Sequence, residues 1–186
     1  MRVISGSAGG RRLKELSGME TRPTTDKVKE SLFNIIQFEI EGRRALDLFA
    51  GTGQLGIEAL SRGAEHCTFV DRRREAAGLV RENLRHTGLE DRARVIQGDS
   101  LAFLEACGET FDLIFLDPPY RTDLLDRALA LAGKIDILSE YGIIICETMA
   151  DRALPPLESP LEWGREYRYG QIKLTVGRRQ KGEGRA

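Results

Sequence analysis

Cysteine is scarce in this chain of 186 residues, and the three present, Cys67, Cys107 and Cys146, are an odd number scattered through apolar surroundings. No Cys-x-x-Cys pair occurs, and only two histidines, His66 and His86, stand in the sequence. That shortage excludes a disulfide framework and a zinc site, so no metal is expected and a reducing cytosol fits best. Both histidines read as solvated side chains rather than catalytic groups. Long apolar runs are missing too. None approaches the ~20 residues of a membrane span, and Met1-Arg2-Val3-Ile4-Ser5-Gly6 lacks the apolar stretch of a signal peptide. A soluble, cytoplasmic protein with no membrane partner is expected, and the length suits one globular unit.

The net charge of −1 conceals an asymmetry. Residues 1–29 carry +4 and residues 163–186 carry +5, which leaves −10 for the rest. An acidic body with two basic ends repels a polyanion except where those ends converge.

From about residue 43 the chain alternates short apolar runs with helical patterns. Ala45 to Phe49, Cys67 to Val70, Ala93 to Ile96, Phe111 to Leu116 and Gly142 to Cys146 read as strands, with helices near 54–62, 73–87, 100–107 and 121–133 between them. Buried parallel strands joined by helices make a doubly wound, Rossmann-like α/β sheet. Arg165 to Tyr169, Gly170, and Gln171 to Val176 then alternate like a closing antiparallel hairpin. Three regions are expected: a basic arm and helix over 1–42 that faces RNA, a core over 43–178, and a polar, disordered tail over 179–186. Within the first, Gly9-Gly10-Arg11-Arg12 suits a hairpin turn or a flexible arm. Thr24 or Thr25 suits the N-cap of a helix running to about Gln37.

Asp47-Leu48-Phe49-Ala50-Gly51-Thr52-Gly53-Gln54-Leu55-Gly56 is a strand running through a glycine-rich turn into a helix. Glycines let a ligand approach the backbone closely, but the bare pattern also suits a dinucleotide. The acid at 47 points elsewhere, because a carboxylate attracts the ammonium group of S-adenosylmethionine, which has no phosphate. Asp71, ending the second strand, is placed to accept ribose hydroxyls, and Asp99, followed by Ser100 after the third, to accept the adenine amino group. All three acids sit where open α/β sheets bind ligands. Each taken singly also fits a helix N-cap. Asp47, Phe49, Ala50, Gly51, Thr52, Gly53, Gly56, Asp71, Asp99 and Ser100 are the candidate cofactor residues.

The sharpest signal is Asp117-Pro118-Pro119-Tyr120 after the fourth strand. Two prolines stiffen the turn, so that the carboxylate and carbonyls project in fixed directions. An exocyclic base amine is a poor nucleophile, its lone pair being delocalised into the ring. Asp117 and the Pro118 carbonyl can each accept one of its N–H bonds, which orients the nitrogen and favours developing positive charge. Tyr120 can stack on a base extruded from its helix. The tetrapeptide serves guanine N2 and adenine N6 alike. The compact size, with no added target-recognition domain, argues against a sequence-reading DNA enzyme. A binding module without catalysis and a nicotinamide-dependent oxidoreductase are weaker readings.

With these residues assembled, the chain resembles the bacterial ribosomal RNA small subunit methyltransferase D family over about residues 1–178. The match includes Arg2 to Gly6, Gly10 to Leu13, Arg22-Pro23-Thr24, Glu30 to Asn34, Asp47 to Gly56, Glu58 to Ala64, Asp117 to Tyr120 and Tyr169-Gly170-Gln171. The resemblance implies a class I S-adenosylmethionine-dependent methyltransferase fold and transfer of a methyl group to the N2 amine of a guanine in 16S rRNA. It also implies an assembled or assembling small ribosomal subunit as partner, and a mostly monomeric enzyme. Arg2, Arg11, Arg12 and Arg22 are the expected RNA contacts. One departure is the run Arg72-Arg73-Arg74 after Asp71, more basic than that pattern. It suits either a solvated helix start or an RNA contact.

Overall fold

The computed structural model describes residues 1–16 and 26–179. Arg22-Pro23-Thr24, the N-cap expected at Thr24 or Thr25, and the tail beyond Arg179 lie outside the described residues. Helix α1 spans Asp26–Ile35. Strand β1 (Arg44–Asp47) leads into α2 (Gln54–Ser61), β2 (His66–Asp71) into α3 (Arg74–Thr87), β3 (Ala93–Gln97) into α4 (Ser100–Ala106), and β4 (Phe111–Leu116) into α5 (Leu124–Lys134). Three strands close the chain: β5 (Leu138–Met149), β6 (Leu161–Tyr169) and β7 (Ile172–Arg179).

They form one sheet in the order β3-β2-β1-β4-β5-β7-β6. Strands β1 to β5 pair in parallel, β7 runs antiparallel to β5, and β6 runs antiparallel to β7. This is the Rossmann-like class I architecture expected, including the final hairpin. Strand β5 is longer than its apolar run, because Leu138 also pairs with Phe111 and the far end continues along β7 to Met149. The polar Ser139-Glu140-Tyr141 stretch hid that extension. None of the described helices is long and apolar enough to cross a membrane.

Side chains alternate across the sheet, dividing the core in two. Ala45, Phe69, Leu113, Phe115, Ile143 and Ile145 face a cluster built with α1, α2 and α3. Leu46, Leu48, Val70, Ile114, Leu116, Ile144 and Cys146 face a second cluster built with α4 and α5.

The amino-terminal arm joins the first cluster. Val3, Ala8 and Leu13 are buried in it, and Arg2 and Arg12 form an antiparallel bridge with Val3 N–H donating to the Arg11 carbonyl at 2.9 Å. The arm is therefore a packed hairpin and not a loose segment. Its turn lies against the end of α2, where Ser61 Oγ donates to the Ser5 carbonyl at 2.6 Å and accepts from Ala8 N–H at 2.9 Å. Gly6 has a φ of +85°, and a Cβ there would sit 1.9 Å from the Ser61 carbonyl oxygen, so glycine is required.

A buried ionic cluster fastens this junction. The Glu58 carboxylate, fully buried, accepts from Ile4 N–H at 2.7 Å, Ser5 N–H at 3.0 Å and Arg62 Nε at 2.7 Å. Lys29 from α1, equally buried, lies 3.8 Å from Glu58 and also donates to the Arg2 carbonyl. Burial pulls the Lys29 ammonium below its ordinary range and the Glu58 charge opposes that shift. Arg62 lies over the Phe33 ring at 5.0 Å, which ties α1 to the same junction. Removing one member of such a cluster leaves an uncompensated buried charge, at a cost of about 3–5 kcal/mol. Glu58→Gln should therefore lower the urea midpoint by the equivalent of roughly 3 kcal/mol, and the Glu58→Gln/Lys29→Met double variant should recover part of it. A wild-type midpoint in Glu58→Gln would mean that the pair is solvated in solution.

Candidate active site

The ends of β1 and β2 and the β4–α5 loop bring Asp47, Asp71 and Asp117 close enough for their charges to act on one another, while Asp99 follows β3 at the start of α4. Registers along the sheet place Asp47 opposite Phe69 and Phe115, and Leu116 opposite Cys146. By alternation, Asp71, Asp47, Asp117 and Glu147 all lie on the α1–α3 face. Asp117 and Glu147 follow a registered pair and stand level at the ends of neighbouring strands β4 and β5, about 4.8 Å apart at the backbone, whereas Asp47 is set back by two residues, level with Phe69 and Phe115, from which Asp71 and Asp117 follow.

Asp47 is buried, and its Oδ2 accepts Gly56 N–H at 3.0 Å. Its pKa is pushed up to about 7, chiefly by burial, with the Gly56 hydrogen bond opposing and the Asp71 charge adding to the rise. Asp117, half-buried, is also held well above the ordinary carboxylate range by burial, then by the Glu147 and Asp47 charges. Crowded acids pushed upward in this way form a site whose charge a cationic ligand would balance.

The glycine turn is built as such turns require. Gly51 and Gly53 have φ values of +56° and +78°, which an L side chain rarely adopts. A Cβ on Gly53 would press on Val80 and Ile57, whereas one on Gly51 would only touch the Phe49 carbonyl oxygen at 3.9 Å. Gly56 serves packing: its Cβ would lie 2.3 Å from the Phe69 ring, so its role is to let α2 lie on β2 while its N–H holds Asp47. Asn83, fully buried on α3, donates to the Thr52 carbonyl at 3.0 Å and exchanges hydrogen bonds with the Lys14 backbone. That side chain links the arm to the turn. Phe49 is half-buried beside the second core cluster, Ala50 N–H donates to the Val70 carbonyl at 3.0 Å, and buried Ser100 donates to the Leu48 carbonyl at 2.5 Å.

Asp71 and Asp99 are more committed to structure than the sequence indicates. Asp71 accepts from Gly51 N–H at 2.9 Å and from Arg73 N–H at 2.9 Å, and it pairs with the Arg73 guanidinium at 3.2 Å. Arg73 therefore turns inward, so the Arg72-Arg73-Arg74 run is not uniformly a solvated or RNA-facing one. Asp99 caps α4, its Oδ1 accepting from Leu101 and Ala102 N–H at 3.0 Å each. The N-cap alternative holds for Asp99 because its exposed carboxylate reaches the first free amides of the helix.

In the tetrapeptide, Pro118 is buried and Pro119 exposed. Thr122 Oγ1 donates to the Pro119 carbonyl at 2.8 Å, and Arg121 holds a left-handed φ of +63°. The turn is thereby locked in a conformation that a non-glycine residue adopts at a cost of about 1–2 kcal/mol. Tyr120 donates its hydroxyl to Glu147 Oε1 at 3.0 Å. Sequence reasoning missed Glu147. The available signal was the one that found Asp47 and Asp71, an acid directly after an apolar strand. Asn83, Lys29 and Glu58 carried no such signal.

Of the expected RNA contacts, Arg2 and Arg12 line a groove with Met1, Gly10, Leu13, Glu15 and Asp26. Arg2 pairs with Asp26 at 3.2 Å, and Arg11 donates to the His86 carbonyl at 2.8 Å. The carboxyl-terminal basic residues are largely consumed internally: Arg178 forms two bonds to Glu39, Arg179 pairs with Asp136 and Lys173 with Glu166. His86 is exposed, but His66 is half-buried, where burial and then Arg44 lower its pKa. Cys67, Cys107 and Cys146 are free thiols.

Residues 1–178 match the family described as conserved hypothetical protein 95. The chain is 46 % identical to Bacillus subtilis YlbH over 179 residues, covering 95 % of this chain and 97 % of that protein. It is 34 % identical to the Escherichia coli ribosomal RNA small subunit methyltransferase D over 180 residues, covering 97 % and 90 %. The solved structure of Escherichia coli yhhF superposes with a TM-score of 0.87 at 31 % identity, covering 97 % of this chain and 98 % of that one. Sequence and fold agree over nearly the whole length, and the chain belongs to the ribosomal RNA small subunit methyltransferase D family.

Proposed function

We propose that this protein transfers a methyl group from S-adenosylmethionine to the exocyclic N2 amine of a guanine in 16S rRNA, within an assembled or assembling small ribosomal subunit. The observation that carries the reading is the placement of Asp117 on the same face as Asp47, two residues further along the neighbouring strand. An amine-orienting carboxylate and a cation-attracting one then stand on adjacent strands. S-adenosylmethionine supplies the electrophilic methyl group and a positive charge. Asp47 is the residue suited to its ammonium end, the open side of Gly51 permits close approach, and Asp71 and Asp99 keep the turn and α4 in place beside it.

On the substrate side, Asp117 and the Pro118 carbonyl accept the two N–H bonds of the amine and turn its nitrogen lone pair outward. As positive charge develops on nitrogen, both acceptors stabilise it. The Tyr120 ring, fixed by its hydroxyl bond to Glu147, offers a stacking surface for the extruded base. On the amino-terminal hairpin, Arg2 and Arg12 line a groove and Arg11 reaches the end of α3, and basic groups on this surface favour the RNA backbone. Arg22 belongs to the same proposed surface.

The direct test is nucleoside mass analysis of 16S rRNA from a deletion strain. Loss of N2-methylguanine, restored by the gene, is expected; unchanged N2-methylguanine would refute the reading, and loss of N6-methyladenine would favour the adenine alternative. Asp117→Ala should reduce kcat by about 100-fold or more while S-adenosylmethionine affinity changes little by calorimetry. Equal loss of both would displace Asp117 from the amine. Arg12→Ala should weaken RNA binding and reduce the slope of log affinity against log salt by about 1, at unchanged thermal stability.

Asp47 adds a pH prediction. Its folded pKa lies at about 7, above the unfolded value of about 3.9. Its contribution to stability is therefore fully present below about pH 4 and is lost as pH rises through 7. Asp47→Asn should make the ligand-free protein more stable than wild type at pH 8, by a few kcal/mol, with little difference at pH 4. The same variant should lose S-adenosylmethionine binding. Parallel stability curves for the two proteins between pH 4 and 8 would contradict the assignment.

A further inference from the structure

Glu147 stands one position beyond the Leu116–Cys146 pair, which is the place that β4 gives to Asp117. It is only 4 % exposed, and it receives the hydroxyl of Tyr120 at 3.0 Å. Anchoring a tyrosine hydroxyl needs no charge, since a carbonyl or an amide oxygen would do. An ionised carboxylate differs from those groups in being an acceptor only, with room for several hydrogen bonds on its two oxygens.

That distinction matters to a purine. The edge of guanine that carries the N2 amine presents N1–H beside it, so three N–H bonds point the same way. Adenine presents its amine beside an N1 lone pair. Building on the guanine-N2 reading above, we propose that Glu147 selects guanine: its carboxylate accepts N1–H, while Asp117 and the Pro118 carbonyl accept the two N2–H bonds. The adjacent strand ends supply acceptors about 4.8 Å apart at the backbone, a spacing suited to neighbouring groups on one base edge. Tyr120 contributes twice, because its ring stacks on the base and its hydroxyl fixes the carboxylate plane. An adenine in the same position sets its N1 lone pair against Glu147, and a polar mismatch inside a water-poor site is rejected strongly.

The test uses 16S RNA carrying either guanine or 2-aminopurine at the methylated nucleotide. 2-Aminopurine keeps the amine to be methylated but has a lone pair at N1. Wild type should prefer guanine in kcat/KM by about 100-fold or more. Glu147→Gln, whose amide can donate to N1, should narrow that preference at least tenfold while leaving affinity for S-adenosylmethionine unchanged. Tyr120→Phe, which removes only the hydroxyl anchor, should lower kcat/KM for both RNAs and keep most of the preference. A preference unchanged in Glu147→Gln, with guanine still methylated, removes this proposal and leaves the guanine-N2 reading intact. Methylation of an adenine by wild type, with neither of these RNAs used, removes that reading and this proposal together.

Discussion

The register of five parallel strands is the constraint on which the rest depends. Because side chains alternate strictly, one shift of a strand by a single residue would move its acid to the opposite face of the sheet. Phe69 and Phe115, buried beside Asp47, and Cys146, paired to Leu116, hold that register through the core. The grouping of Asp71, Asp47, Asp117 and Glu147 on one face is therefore a product of hydrophobic packing as much as of the acids themselves. Burial first, and then the neighbouring acid charges, raises Asp47 and Asp117 above the ordinary carboxylate range, at a cost in stability. Functional sites commonly carry such costs, supported by structure elsewhere.

That support is visible on the α1–α3 side. The Glu58–Lys29–Arg62 cluster binds the amino-terminal hairpin to α1 and α2, and Asn83 joins the hairpin to the glycine turn. The basic arm is consequently part of the same rigid core as the turn beside which it lies. A surface built this way can hold arginines at fixed positions for a phosphate backbone, which a loose tail would do at greater entropic cost.

Much of this was legible in the sequence. Five apolar runs alternating with helical patterns gave the parallel sheet, and period-two residues after Gly164 gave the hairpin. The acids at 47, 71 and 117 were visible because each follows an apolar strand directly. Other features were hidden for physical reasons. Asp99 uses its carboxylate to cap α4, a role that residue type alone does not separate from ligand binding. Packing of the arm rests on contacts between Glu58 and residues more than fifty positions away, and no local pattern announces them. The charge asymmetry misled in part, since Arg178, Arg179 and Lys173 are engaged by acids of the same chain.

The cluster of crowded carboxylates on one sheet face is completed by a cationic cofactor. Titration calorimetry with S-adenosylmethionine at pH 7, repeated in buffers of different ionisation enthalpy, measures the protons exchanged on binding. With Asp47 near half-protonated in the free protein and ionised beside an ammonium group, net release of a substantial fraction of a proton per molecule is expected. Binding with no proton release, or with uptake, would contradict the account.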